Sequence, residues 1–138
     1  MADVLVNIDV DDLAKAEAFY SRAFELRPGR RFGDGGVEML GLAAPIYLLV
    51  KAAGSPTAPM TAQRRDYRRH WTPVHLDFVV EDIDAAVVRA AAAGAVLEAP
   101  VKSSNWGKLA LMADPFGNGF CLVEFVGRGY DEIATPTP

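Results

Sequence analysis

Cysteine is almost missing from this sequence, because Cys121 is the only one among 138 residues. A single cysteine excludes an internal disulfide, and we therefore expect a protein of the reducing cytoplasm. Long apolar runs are also missing, since no stretch approaches the roughly 20 residues of a membrane span. Basic residues are outnumbered by acidic ones, 14 to 18, which gives a net charge of −4. We therefore expect neither a nucleic-acid partner nor a membrane partner.

Two segments of the chain share one pattern, in which an alternating strand leads into helical spacing. Apolar residues alternate from Val4 to Val10 and again from Val74 to Val80. In both places an acidic pair follows, and apolar residues then recur with the period of a helix. Aligning Asp12 with Asp82 gives an offset of 70 residues at which the two segments match. This self-similarity predicts an internal duplication.

Shorter strand-like runs, separated by Gly or Pro, follow each predicted helix. Each half therefore reads β-α-β-β-β, and we predict an α+β fold built from two tandem βαβββ modules in one domain. The predicted boundaries are 1–51 for the first module, 52–71 for a linker, 72–127 for the second module and 128–138 for a flexible tail. The runs are RPGRRFGDG, GVEMLGL and PIYLLVK in the first half, and AVLEAPV, GKLALMA and GFCLVEF in the second.

Three features occur in a fixed order along residues 3–126: a strand–Asp-Leu–helix unit ending in Phe19-Tyr20, the duplication, and a closing DPFGN turn at Asp114–Asn118. This order resembles the glyoxalase/bleomycin-resistance/dioxygenase group, the vicinal-oxygen-chelate superfamily. The resemblance implies a curved half-barrel sheet with the helices outside and a ligand cleft inside. Members of the group include lyases, isomerases, dioxygenases, thiol transferases and metal-free drug-binding proteins, and they commonly dimerise. We therefore expect a homodimer with a small-molecule ligand.

The resemblance also implies where a metal would bind. Metal-dependent members place four ligands on cleft-facing strands, two in each module, and the matching positions here are Leu5, Leu48, His75 and Cys121. Leucine offers no donor atom, whereas a divalent ion needs three or four nitrogen, oxygen or sulfur donors. We therefore expect no metal and no other cofactor. The alternative is a divalent metal held by His75 and Cys121 with donors from elsewhere.

Alternation along the two repeat strands places polar side chains on the expected cleft faces. Leu5 and Asn7 share one face of the first strand, and His75 and Asp77 share the matching face of the second. A carboxylate beside an imidazole favours its protonated form and can orient the ring. His75 with Asp77 could bind an anionic or phenolic group or act as a general base. The other interpretation is that His75 only satisfies hydrogen bonds inside the cleft.

Cys121 and Trp106 are two further candidates for the cleft. Apolar neighbours surround Cys121 in the sequence and no basic residue closely precedes it, which favours a small uncharged lining residue. A nucleophilic dyad with His75 is the alternative. Trp106 could stack on a planar ligand at the cleft mouth or simply cover the sheet edge.

The run Arg64–His70 carries four arginines against one aspartate and contrasts with the acidic whole. It could be a solvated turn, a subunit contact or a rim that attracts acidic ligands.

Three functions are compatible with these residues. The first is binding of a small, largely apolar or aromatic metabolite or antibiotic in the cleft, without metal. The alternative is a lyase, isomerase or dioxygenase-type enzyme that uses His75 with Asp77 or Cys121. The third is an interaction module whose cleft is filled by its own side chains. The predicted ligand-binding residues are Leu5, Asn7, Leu48, His75, Asp77, Trp106 and Cys121.

Overall fold

The first module contains one helix and a four-stranded sheet. We describe a computed structural model covering residues 1–136; Thr137 and Pro138, the end of the predicted tail, lie outside the described residues. The sheet has the order β1-β4-β3-β2, with β1 and β4 parallel and the other neighbours antiparallel. Its elements are β1 (Val6–Val10), α1 (Leu13–Phe24), β2 (Arg27–Arg31), β3 (Gly36–Leu40) and β4 (Ile46–Val50).

The second module repeats this plan. Its sheet has the order β5-β9-β8-β6, and β5 and β9 are again a parallel pair. The predicted α+β architecture of two tandem modules is therefore confirmed. Where one strand was predicted after the second helix there are two short ones, β6 and β7, separated by a segment that contains Pro100, which has no amide hydrogen for a sheet ladder. The elements are β5 (Leu76–Val79), α2 (Ile83–Ala93), β6 (Val96–Leu97), β7 (Lys102–Ser103), β8 (Gly107–Ala113) and β9 (Gly119–Phe125).

Both helices begin at the aspartates that define the repeat. Asp12 Oδ1 accepts a hydrogen bond from the Lys15 backbone N–H at 3.0 Å, and Asp82 Oδ1 accepts one from Ala85 at 3.1 Å. These bonds satisfy amides that have no partner inside the helix. The second helix ends at Gly94, whose φ of 121° few other residues tolerate. The duplicated acidic pairs are thus helix caps.

The hydrophobic core lies between the helices and one face of each sheet, which we call the helix face; the opposite face is the open face. The two helices contact each other, and aromatic rings join the modules beneath them. Phe24 of α1 stacks on Phe78 of β5 with ring centroids 3.8 Å apart, and its edge meets Phe120 at 5.5 Å. Large core side chains from both modules include Phe19, Val37, Met39, Ile46, Leu48, Ile83, Met112 and Leu122.

A single carboxylate connects α1 to the DPFGN turn. The Tyr20 hydroxyl donates to Asp114 Oδ2 at 2.6 Å, and both residues are buried. Asp114 Oδ1 also accepts from the backbone N–H groups of Phe116 and Asn118, at 2.8 and 2.9 Å. Gly117 completes the turn with a φ of 86°. Two of the features that carry the family resemblance are therefore in direct contact.

The segment after β9, predicted to be flexible, forms a short 3₁₀ helix at Gly129–Glu132. The Tyr130 ring packs beside Trp106 and Phe125, with centroid distances of 5.0 and 4.8 Å. Among residues 1–136, no helix combines the length and apolar composition needed to cross a bilayer.

Candidate functional site

A cavity of about 790 Å³ opens where the two sheets approach each other, between β1 and β5. Its apolar wall comes from both modules and reaches the aromatic core. Its polar wall comes from the edges of the two strands and from the linker. The apolar lining residues are Val6, Ile8, Val74, Leu76, Phe78 and Phe120, and the polar ones include Asn7, Asp9, Arg65, Tyr67, His70, His75 and Asn118. The site is therefore shared by both modules and by the chain that joins them.

The linker is fixed as the third wall of this cavity. Arg65 Nε donates to Asp9 Oδ2 at 2.6 Å, and the Arg65 side chain is only 15% exposed. The Tyr67 hydroxyl donates to the carbonyl of Lys51 at 2.7 Å, and its ring packs against the core. These long-range hydrogen bonds fix the linker in place, although the sequence predicts it only as an aperiodic connection between the two modules.

The basic run Arg64–His70 lies around the cavity, and three of its arginines are paired with carboxylates. Besides the Arg65–Asp9 pair, Arg68 meets Asp66 at 2.6 Å and Arg69 meets Glu98. The run therefore brings less free positive charge to the cavity than its composition suggests.

The end of the linker pairs with the DPFGN turn. The His70 backbone N–H donates to the Gly117 carbonyl, and the His70 carbonyl accepts from the Gly119 N–H, both at 2.9 Å. The His70 ring contacts Asn118 Oδ1 through Nε2, also at 2.9 Å. Since Asn118 bonds to Asp114 as well, the cavity edge connects to the buried carboxylate.

His75, Asp77 and Cys121 form a cluster beside the cavity. His75 Nε2 lies 3.3 Å from Asp77 Oδ1, and one donor atom from each of the three residues lies within 4.8 Å of the others. Burial, followed by the negative charge and hydrogen bond of Asp77, raises the pKa of the Cys121 thiol to about 12. A protonated thiol at neutral pH does not favour the nucleophilic dyad, and neither Asp77 nor Cys121 is among the residues that line the described cavity.

Leu48 lies in the core and not on the open face. In the parallel pairing, Ile8 faces Leu48 and Asn7 faces Tyr47, and the Leu48 side chain is 0% exposed. The expectation that Leu48 lines the cleft is therefore wrong by one residue, since its neighbour Tyr47 is the one on the open face. Since Asp77 pairs with Cys121 as Asn7 pairs with Tyr47, the repeat-equivalent of Cys121 is Tyr47.

Tyr47 belongs to a charged network on the first open face that the sequence analysis missed. Its hydroxyl donates to Glu38 Oε2 at 2.7 Å, and Arg30 Nη2 donates to the same oxygen at 2.7 Å. Hydrogen bonds from Arg30 are the main reason that the pKa of Glu38 falls to about 2. The signal in the sequence is one acidic residue between Val37 and Met39 in an apolar strand.

The remaining predicted residues divide between the cavity and the surface. Asn7 lines the cavity, as does His75. Leu5 precedes β1 and is 61% exposed. Trp106 packs against the 3₁₀ helix and is not among the residues that line the described cavity. Of the seven predicted ligand-binding residues, Asn7 and His75 are thus among those that line the described cavity, whereas the other five are not, namely Leu5, Leu48, Asp77, Trp106 and Cys121.

A metal site with two ligands from each module does not fit the residues that the structure describes. At the matching positions, Leu5 has no donor atom and the Tyr47 hydroxyl is occupied by Glu38 and Arg30. Only His75 and Cys121 offer donors that such a site could use.

The chain is a paired-module protein, because two repeated βαβββ modules are joined around a cavity that both of them line. The sequence pattern predicts this class. The Glyoxalase-like domain family profile matches residues 5–123, most of the chain. The chain belongs to this family.

Individual proteins similar to this chain include one relative in sequence and several in structure. A Mycobacterium bovis protein, Mb0911c, is 31% identical over 128 residues, which cover 90% of this chain and 84% of that protein. A fosfomycin resistance protein, FosX, from Listeria monocytogenes has a TM-score of 0.69 at 17% identity, covering 91% of this chain and 94% of that one. Lactoylglutathione lyase from Agrobacterium tumefaciens has a TM-score of 0.62 at 22% identity, covering 89% and 92%. At these identities the structural likeness concerns the fold.

Proposed function

We propose that the protein binds a small, largely apolar or aromatic metabolite or antibiotic in the cavity between β1 and β5, without metal. The observation that carries this proposal is the cavity itself, whose volume of about 790 Å³ falls in the roughly 300–1,000 Å³ range of small-molecule pockets. Its depth is apolar and its edges are polar. A ligand with an apolar body would bury that body against the aromatic core and leave its polar groups at the edge.

The polar edge supplies a few anchors for such a ligand. Asn7 offers both a donor and an acceptor on β1, and His75 offers an imidazole at the start of the second module. Arg65 and Tyr67 already have partners, so they shape the wall more than they offer free donors. Other polar side chains of the linker, such as Gln63, also lie on this edge, so the apolar wall would hold the body of the ligand and the polar edge would fix its orientation.

An enzyme of lyase, isomerase or dioxygenase type is the second candidate. The observation in its favour is that His75 both lines the cavity and lies 3.3 Å from Asp77 Oδ1, so that a carboxylate can orient a base beside a bound molecule. The structural neighbours include a resistance protein and a lyase, and one fold supports both kinds of function.

We also propose a homodimer. The open face of the second sheet leaves Val79, Leu111 and Phe125 at 64%, 37% and 40% exposure, an apolar surface that a second copy could cover. Sedimentation equilibrium of the purified chain tests this: a mass of two chains is expected, and a monomer at all concentrations would reject it.

A thermal-shift screen with planar aromatic metabolites and antibiotics tests the binding proposal. We expect at least one compound to raise the midpoint saturably, since ligand at 100 times its Kd stabilises a protein by about 2.7 kcal/mol. The matched variants are Val74→Arg, which places a long side chain at the cavity, and Val88→Arg, the same change at an exposed position on α2. The shift should disappear only in Val74→Arg.

The fate of the compound separates the two candidate functions. If chromatography recovers the ligand unaltered after long incubation, the protein binds without catalysis. If product accumulates, and His75→Ala abolishes its formation while the compound still binds, the protein is an enzyme and the proposal of binding without catalysis is rejected. A screen in which every shift survives Val74→Arg would reject the cavity as the site.

A further inference from the structure

A chain of hydrogen bonds runs from the buried Asp114 carboxylate to the edge of the cavity and ends at the His70 ring. Asp114 accepts from the Tyr20 hydroxyl, from two backbone N–H groups of the DPFGN turn, and from Asn118 Nδ2 at 2.8 Å. Asn118 Oδ1 lies 2.9 Å from His70 Nε2. Tyr20, Asn118 and His70 all line the cavity. A buried network therefore holds the His70 imidazole at the cavity edge.

The direction of each hydrogen bond in this chain follows from its buried end. Three other donors surround the Asp114 carboxylate, which accepts and does not donate, so the Asn118 amide must turn its NH₂ group toward it. The amide oxygen then faces His70. Because an amide oxygen only accepts, the proton of the neutral imidazole must be on Nε2. The other ring nitrogen, Nδ1, is left with a free lone pair.

The backbone also holds His70 in place. Its N–H and its carbonyl are both hydrogen-bonded to glycines of the turn. A side chain at Gly117 would collide with the backbone carbonyls of Tyr67 and Arg68, so the linker lies directly on the turn. Within residues 1–136, Nδ1 of His70 has no hydrogen-bond partner. An acceptor that is fixed in this way at the edge of a cavity is preorganised for a donor group on a ligand.

We propose that His70 selects the ligand of this cavity, by accepting a hydrogen bond at Nδ1 from a hydroxyl group on an otherwise apolar aromatic molecule. This role of His70 rests on the proposed function, because it concerns the same cavity. The aromatic body would lie against the apolar wall, which includes Phe78 and Phe120, and the hydroxyl would lie at the edge. An ether oxygen at the same place would meet the imidazole lone pair with a second lone pair.

The other imidazole of the cavity, His75, is placed differently. Its Nε2 lies 3.3 Å from Asp77 Oδ1, a longer contact than the 2.9 Å between His70 and Asn118. Asp77 is itself exposed, whereas Asn118 is anchored to a buried carboxylate. The fixed proton pattern is therefore a property that we assign to His70.

Nitrogen-15 NMR of the imidazole rings tests this proton pattern without any ligand. The chain has two histidines, and His75→Gln leaves the signals of His70 alone. At about pH 8, where ordinary imidazoles are neutral, we expect one predominant tautomer that is protonated on Nε2 and unprotonated on Nδ1. A predominant Nδ1–H tautomer, or equal amounts of the two, would overturn the proposal.

Two probes that differ only at the hydroxyl group test the class of ligand. β-Naphthol has an O–H group where its methyl ether has none, and the aromatic body is the same. One hydrogen bond changes an affinity by about three- to tenfold, so β-naphthol should bind the parent that much more tightly in a calorimetric titration. The preference should disappear in His70→Phe, which keeps a planar ring and removes both nitrogens. Circular dichroism verifies that this variant is folded.

His75→Phe is the matched comparison, because it makes the same change at the other histidine that lines the cavity. The preference for β-naphthol over its methyl ether should persist in this variant, even where the affinity for both probes changes. A preference that is lost in His75→Phe and kept in His70→Phe would overturn the assignment.

The outcomes separate this role of His70 from the binding function on which it rests. If both probes bind the parent equally and both are lost in Val74→Arg, the cavity is the site but His70 does not select a hydroxyl group. If both probes still bind Val74→Arg, the cavity is not their site and the assignment fails. If neither probe binds the parent, the class of hydroxyl-bearing aromatic ligands is wrong, and the wider thermal-shift screen still decides the binding function.

Discussion

The open faces of the two sheets carry different chemistry at equivalent positions. On the first sheet a carboxylate lies on β3, next to a tyrosine on β4, and an arginine neutralises it. On the second sheet the carboxylate lies on β5, next to a cysteine on β9, and an exposed histidine lies 3.3 Å from it. The equivalent pairs are Asn7 and Asp77, Tyr47 and Cys121, and Glu38 and Leu111.

This difference explains why the two modules cannot contribute equally to a site. The Arg30 guanidinium and the Tyr47 hydroxyl occupy Glu38, so its oxygens are committed to structure. Asp77 Oδ1 lies 3.3 Å from the His75 ring, and the carboxylate also contacts the neighbouring Cys121 thiol. Its oxygens can therefore still bind a further group. The carboxylate of the second open face is thus less committed to structural contacts than that of the first.

The largest effect should come from testing the register on which this comparison rests. Leu48→Ala should cost about 2–5 kcal/mol of unfolding free energy, because it empties a fully buried position. Leu5→Ala, at an exposed position, should stay within about 0.5 kcal/mol. Urea unfolding followed by tryptophan fluorescence measures both. Equal, small effects would mean that Leu48 faces the open side and that Tyr47 is not the equivalent of Cys121.

A smaller effect should appear in the rate at which the Cys121 thiol, on the open face of the second sheet, is alkylated. Relative to a thiol with a pKa of 9.0, a pKa of about 12 leaves about 1,000-fold less thiolate at neutral pH. Asp77→Asn removes the negative charge that is the second cause of this pKa, after burial. We expect alkylation of chelator-treated protein by iodoacetamide to become about tenfold faster.

The control for this measurement is Asp84→Asn, which removes the same charge from an exposed position on α2. Its alkylation rate should match that of the parent. If Asp77→Asn were alkylated no faster than Asp84→Asn, the carboxylate would have no influence on the thiol.

The smallest effect should be the pH dependence of the first face. Because the folded pKa of Glu38 is lowered from 4.5 to about 2, its ionised form stabilises the fold above the unfolded pKa. That contribution disappears as pH falls through the folded pKa. The urea midpoint of the parent should therefore exceed that of Glu38→Gln at neutral pH, and the gap should narrow between pH 4.5 and about 2.

Glu132→Gln serves as the comparison variant, since it removes a surface ion pair with Arg128 and should change the midpoint less at neutral pH. A gap between the parent and Glu38→Gln that widened in acid would contradict the network on the first face.

Periodicity in the sequence was sufficient for the elements and the duplication but not for the pairing of strands. Apolar residues in IYLLV do not reveal which of them faces a helix, because β4 is central and both of its faces are covered in part. Alternation around His75 and Asn7 did reveal their face, because these strands mix polar and apolar residues. The contribution of the linker to the cavity wall could not be predicted from the sequence, because Arg65 and Asp9 are 56 residues apart and meet only in the folded chain.

The bond between Tyr20 and Asp114 spans 94 residues, and this separation bears on synthesis. A chain emerging from the ribosome exposes α1 long before the DPFGN turn exists. The hydrogen bond between Tyr20 and Asp114 can therefore form only after the last hairpin has been translated, so this connection between the two modules is made late in synthesis.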